Sequence, residues 1–231
     1  MIRPLDVATS LFTTIGRLGT GMRVGALGRR PSRPLELYEF EACPFCRKVR
    51  EALSILDLEA IVYPCPKGGP TYRPRVRERG GKELFPYLVD PNTGTEMYES
   101  SDIVAYLFSE YGDGRIPFAL GAGPLTDASS MVSGLWRLGG GSRYRRARTP
   151  AEPLELYSFE ASPYCRIARE ALSSLELAYR LHNVAQGSPG REAFLARSGR
   201  MMVPWLSDLN TGVEMFESAD IVAYLNETYA L

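Results

Sequence analysis

Cys43 and Cys46 are separated by Pro44 and Phe45, a spacing that lets one sulfur attack a disulfide and a second, one helical turn on, resolve the product. The attacking species is a thiolate, and a free thiol titrates near ~8.5. Pro44 suits the first position of a helix, where its missing N–H would be unpaired anyway. Cys43 then stands at the mouth of that helix, where unpaired N–H groups and the positive dipole end favour an anion. Thiols in such settings fall to roughly 3.5–7.5, and Arg47 and Lys48 add positive charge nearby. Cys43 is therefore the candidate nucleophile and Cys46 the candidate resolving thiol; an inert buried pair is the alternative. A structural zinc would need two more ligands, and Cys65, Cys165 and His182 are too scattered to supply them, so no metal site is expected. Cys65, in Pro64-Cys65-Pro66, reads as an isolated loop thiol. A lone histidine excludes His-based triads.

The elements that would hold these cysteines follow from the surrounding pattern. Residues 35–40 alternate and are rich in strand formers, which predicts a first strand. Phe45, Val49, Ala52, Leu53 and Leu56 form the expected buried stripe of the helix after it. Residues 60–63 read as strand two, a short helix follows Thr71, and residues 85–89 read as strand three. The Asn92-Thr93-Gly94 turn returns the chain as strand four, residues 95–98. Ser100 is placed to cap a last helix that buries Ile103, Val104 and Leu107. The order is β-α-β-α-β-β-α.

This unit is written twice. Residues 34–63 align with 153–182 at 18 of 30 positions, and 84–112 align with 202–230 at 17 of 29, with offsets of 119 and 118, so the single deletion falls in the variable stretch between. Two domains are expected, at 34–112 and 153–231. Before each lies a stretch with apolar residues at helical spacing, Leu5 to Leu18 and Leu125 to Leu138. A Gly/Arg-rich connector follows each stretch. Residues 1–33 and 113–152 are thus each read as a short amphipathic helix plus a basic connector, the helices packing on their own domains or on each other. The 27 Lys and Arg balance 27 Asp and Glu, so no net field favours nucleic acid. No apolar run approaches the length of a membrane span.

A strand running into Cys43-Pro44-Phe45-Cys46, a proline opening strand three at Pro86, and Glu99-Ser100-Ser101-Asp102-Ile103 at the last helix resemble the thioredoxin fold. Within it, they are most similar to the branch of glutaredoxins and glutathione S-transferase N-terminal domains. The resemblance implies an α/β protein of two tandem thioredoxin-like domains. The chain departs from the transferases in leaving no room for their all-helical C-terminal domain, so none is expected. It implies glutathione as cofactor. Pro86 would be a cis-proline facing the thiol, the Phe85 backbone would pair with the cysteinyl part of glutathione, Glu99 and Ser100 would clamp the γ-glutamyl end, and Lys82 would take the glycine carboxylate. The helix start at Ser100 is itself a ready anion site.

The second copy departs from this pattern, reading Ser162-Pro163-Tyr164-Cys165. A serine cannot exchange disulfides, although some glutathione S-transferases use one to stabilise the bound glutathione thiolate. The implied cradle is kept in Ser162, Val203, Pro204, Glu217 and Ser218, with Arg200 in the place of Lys82. The second domain therefore reads as a redox-inactive glutathione-binding or structural copy, and Cys165 as a small buried residue.

The expected function is glutathione-dependent thiol–disulfide exchange at Cys43 and Cys46, on small-molecule or protein disulfides, with the two domains pairing within the chain. A glutathione-dependent binding scaffold and a transferase or isomerase with a pocket between the domains are the alternatives. A glutathione-bridged iron–sulfur cluster, as some glutaredoxins form, is a further one. Sparse cysteines point to a reducing, cytoplasmic setting. The acid-poor N-terminus could mimic an organelle transit peptide, but its echo inside the chain argues for a structural role.

Overall fold

The computed structural model of the protein describes residues 20–121 and 139–231. The two amphipathic helices expected ahead of the repeats lie outside these residues. The first repeat runs β1 (Leu35–Glu39), α1 (Pro44–Ile55), β2 (Ala60–Pro64), α2 (Tyr72–Gly80), β3 (Tyr87–Asp90), β4 (Thr95–Met97) and α3 (Ser100–Tyr111). A one-turn helix, α4 (Phe118–Gly121), follows. The second repeat runs β5 (Leu154–Ser158), α5 (Pro163–Ser174), β6 (Tyr179–Asn183), α6 (Arg191–Ser198), β7 (Trp205–Asp208), β8 (Val213–Phe216) and α7 (Ser218–Tyr229). Both follow the order read from the sequence. Strand β3 begins two residues later than expected, because Phe85–Pro86 is a cis peptide bond and Pro86 has no N–H to give a ladder. Ser100 is the first helical residue rather than the cap. Glu99 takes the cap position with φ 66°, and its side chain makes no capping bond.

The eight strands of the described residues form one sheet, in the order β4-β3-β1-β2-β6-β5-β7-β8. Strand β1 is parallel to β2 and antiparallel to β3, and β5 repeats this with β6 and β7. The junction is the antiparallel pair β2–β6, with Ala60 opposite Leu181 and Val62 opposite Tyr179. Each repeat alone would leave β2 or β6 as an open edge with unpaired N–H and C=O groups; here each edge covers the other. Period-two alternation sends Leu35 and Leu37 towards α1 and α3, where they join Val49, Leu53, Ile103 and Leu107. That cluster continues through Leu154, Leu156, Leu172, Ile221 and Leu225, so one apolar core serves both repeats. Tyr38, Tyr72, Val76 and Tyr87 pack on the opposite face of the first repeat, and Phe194 and Trp205 on that of the second.

Helix α1 differs from its expected stripe. Residues Cys46 through Ile55 are all buried, while Phe45 is 42% exposed. The polar side of the helix is covered by the second repeat, which a periodicity argument cannot register. The connectors do part of this covering. Val24 N–H bonds the Gln186 carbonyl and Gln186 N–H bonds the Met22 carbonyl, while Lys67 and Tyr144 make the equivalent exchange with Ser142 and Lys67. Each connector thus adds to a loop of the opposite repeat before returning to its own last helix, through Gly28 to Tyr111 and Arg148 to Tyr229. Gly21 (φ 83°) and Gly141 (φ 75°) make the close approach: a Cβ on Gly141 would lie 3.0 Å from Glu41 Cβ and 3.1 Å from Ser173 Cβ.

Candidate active site

Cys43 occupies the cap position of α1, in extended conformation, with Pro44 next. Its Sγ accepts the Cys46 backbone N–H at 3.3 Å and lies 4.0 Å from the Phe85 carbonyl oxygen. The Cys46 thiol donates to the Cys43 sulfur, and the N–H groups of Cys46 and Phe45 assist; together they hold Cys43 below the ordinary thiol range against the opposing effect of burial. Burial, reinforced by its bond to Cys43 and the charge there, pushes Cys46 well up. One sulfur is set to lose its proton and the other to keep it. All four cysteines are free thiols. Cys65 is also raised by burial, and its Sγ lies 3.4 Å from the Tyr63 carbonyl.

The predicted cradle residues sit at the expected elements. Phe85–Pro86 is cis and leads into β3. Glu99 and Ser100 open α3, and the Glu99 side chain makes no capping bond to its first turn. Lys82 is exposed, just ahead of β3. Arg73 stacks over Phe85 at 4.8 Å from the ring centroid and bonds the Cys65 and Pro66 carbonyls and Glu83.

The second repeat reproduces this framework without the thiol. Ser162 caps α5 and its Oγ accepts the Cys165 N–H at 3.2 Å. Val203–Pro204 is cis, Glu217 has φ 65°, Ser218 is buried at the first position of α7, and Arg200 is exposed. Burial raises the Cys165 thiol.

The family model of the glutathione S-transferase N-terminal domain matches residues 37–115 and again 156–231, more than half of the chain. The chain belongs to this family. Two solved glutathione transferases are similar. BmGSTD1 of Bombyx mori has a TM-score of 0.33 and 26% identity over 36% of this chain, and the match spans 38% of that protein. The trimeric transferase TDR1 of Leishmania has a TM-score of 0.30 and 15% identity over 87% of this chain and 68% of its own. No curated protein matches.

A buried ionic cluster that sequence reasoning missed joins side chains of the two repeats. Arg50, on the helix that carries the thiols, bonds Glu160 of the second repeat at 3.0 Å and also Glu39, and pairs with Glu41 at 3.3 Å. Arg169 answers from α5, bonding Glu41 at 2.9 Å and Glu160 at 2.8 Å. Arg47 and Arg166 flank them, near Glu160 and Glu41 respectively. The available signal was the arginine pair three residues apart, Arg47/Arg50 and Arg166/Arg169, kept in both copies on a helix whose other side is apolar. Glu160 is held down at about 2: burial opposes its charge, but Arg169 and Arg50 outweigh it. Glu39 goes the other way. Burial pushes it up to about 7, because Arg50 is shared with two further carboxylates. Ser158 stands in its place in the second repeat, its Oγ buried without a hydrogen-bond partner.

Proposed function

We propose that the first repeat is a glutathione-dependent thiol–disulfide oxidoreductase and the second a glutathione-binding or structural copy without redox chemistry. The observation that carries this reading is Cys43 Sγ at the start of α1, beside a cis-proline, taking a hydrogen bond from Cys46 and depressed in pKa. The Cys43 thiolate would attack the glutathionyl sulfur of a mixed disulfide. Its S–S bond breaks, the substrate sulfur leaves as thiolate and takes a proton from water, and Cys43 is left joined to glutathione. Cys46 would then attack Cys43, releasing glutathione and leaving a Cys43–Cys46 disulfide that two further glutathione molecules reduce. Once Cys43 is neutral, its bond and charge no longer oppose ionisation of Cys46, leaving burial as the main cost. The Phe85 backbone, Glu99, Ser100 and Lys82 would hold the peptide, and Ser162, Val203, Pro204, Glu217, Ser218 and Arg200 would do so in the second repeat. Paired domains in a reducing compartment, such as the cytoplasm, fit this chemistry.

The test is reduction of a glutathionylated peptide by glutathione. Cys43→Ser is expected to fall to the uncatalysed rate, whereas Cys46→Ser keeps turnover, because a second glutathione can resolve Cys43 directly. Full activity in Cys43→Ser would remove the proposal. Conjugation of a small electrophile that survives Cys43→Ser would favour the transferase reading instead.

A further inference from the structure

Helix α2 is more basic than its counterpart α6. Residues 67–83 hold six lysines and arginines and two glutamates in a chain whose charges balance overall, whereas residues 186–201 hold three and one. The two helices are matched by what their side chains do. Arg73 bonds the Cys65 and Pro66 carbonyls, and Arg191 bonds the Val184 carbonyl. Arg79 pairs with Glu36 and Glu96 as Arg197 does with Glu155 and Glu214. Val76 and Phe194 are buried at the same place. On this match, Arg75 and Arg77 stand where the second repeat has Ala193 and Leu195. Both arginines are exposed, and neither forms an ion pair among the described residues. They also create like-charge pairs one turn apart, Arg73–Arg77 and Arg75–Arg79, which weaken a helix. The matching positions of α6 hold no such pair.

This helix starts beside the thiol. The Arg73 guanidinium lies 4.8 Å from the Phe85 ring centroid, and the Phe85 carbonyl oxygen lies 4.0 Å from Cys43 Sγ. Phe45 and Leu84, next in sequence to Pro44 and Phe85, are 42% and 50% exposed. From these observations we infer that α2 is a docking surface for an acidic polypeptide: the disulfides exchanged at Cys43 belong to proteins with aspartate or glutamate a few residues from the reacting cysteine. The inference rests on the thiol–disulfide reading of Cys43 and adds the class of substrate. From Arg73 to Arg77 the helix rises about 6 Å, close to the span of two extended residues, so carboxylates near the cysteine come within reach of these cations. They would relieve the repulsion along α2, and an apolar neighbour of the cysteine would cover Phe45 and Leu84. Nucleic acid would meet the same positive charge, but it brings no sulfur to Cys43. The exchange itself is the one set out above, in which the substrate sulfur leaves as thiolate and takes a proton from water.

The experiment measures kcat/KM for two glutathionylated peptides of equal length, one with glutamates and one with lysines around the cysteine, and for the mixed disulfide of glutathione with 2-mercaptoethanol. The expected result is a preference of about tenfold for the acidic peptide at low salt, shrinking as ionic strength rises. Arg75→Ala combined with Arg77→Leu borrows the residues of the second repeat, which limits damage to the fold, and melting temperature checks it. This double variant is expected to lose most of the preference while turnover of the small disulfide stays within error. Arg77→Lys keeps the preference, and Arg77→Glu shifts it towards the basic peptide. Wild-type protein that turns over none of the three disulfides would overturn the oxidoreductase reading and this inference with it. Active wild type that treats both peptides alike, a preference that survives the double variant, or duplex DNA bound more tightly than the acidic peptide would overturn this inference alone.

Discussion

Cys43 and Cys46 show how two identical side chains three residues apart are pushed in opposite directions. Cys43 receives hydrogen bonds and Cys46 supplies one, so the negative charge has a single favoured sulfur. Glu39 is a further residue whose environment outweighs its type. Its carboxyl is pushed from 4.5 to about 7 by burial. The folded protein therefore holds a proton there that the unfolded chain releases between these values. Stability contributed by this group is present at low pH, falls as pH rises through that window, and is flat above it. Glu39→Gln is expected to remove that downward slope between about 4.5 and 7 in urea midpoints measured across pH. An unchanged profile would show that Glu39 is ionised throughout.

At the scale of elements, the hairpin behind the cis-proline is tied to the last helix by one carboxylate. Asp90 Oδ2 accepts the hydroxyls of Tyr106 and Tyr111, and Oδ1 accepts the Asn92 backbone N–H and side-chain amide. Asp208, Tyr224, Tyr229 and Asn210 repeat this bond for bond. Burial acts to raise Asp90, but the two tyrosine hydroxyls and Asn92 hold it below its ordinary value. Its contribution is present above the normal carboxylate range and is lost as pH falls through the lowered value. Tyr111→Phe removes one hydroxyl from a charged acceptor and should cost about 1.5–3 kcal/mol in denaturant unfolding. A loss of only a few tenths would mean that water or Tyr106 replaces the bond. A second tie crosses the repeats: Glu176 accepts the Thr71 and Tyr72 N–H groups and so caps α2 from outside its own unit. Both this residue (φ 51°) and its counterpart Asp57 (φ 53°) hold left-handed turns as non-glycines.

On the scale of the whole molecule, the repeats share a sheet, an apolar core and an ionic cluster. Burying several charges is expensive and is offset only while every partner is present. Glu160→Ala would leave Arg50 and Arg169 short of a carboxylate in the interior, at a cost of about 3–5 kcal/mol in urea unfolding. Because Arg50 rides on the thiol helix, the loss should be seen by probes in both repeats in one transition. Separate transitions for the two repeats would contradict a common core. Among the described residues no helix is long and apolar enough to cross a membrane.

Much of each repeat was legible in the chain itself. Alternation at Leu35 and Leu37, Pro44 after Cys43, and the Asn92-Thr93-Gly94 turn are local signals whose meaning depends on neighbours a few residues away, and the duplication confirmed each by stating it twice. The elements on which the cradle is proposed, the cis-prolines Pro86 and Pro204 and the starts of α3 and α7, recur in both copies. Tertiary structure alone decided that β2 pairs with β6, that the polar side of α1 is interior, and that Glu39 titrates far from an ordinary glutamate. Each depends on groups more than a hundred residues apart brought within hydrogen-bond reach. Hydrophobic periodicity records which side of a helix is apolar, whereas a buried charge is intelligible only once its partner is in place.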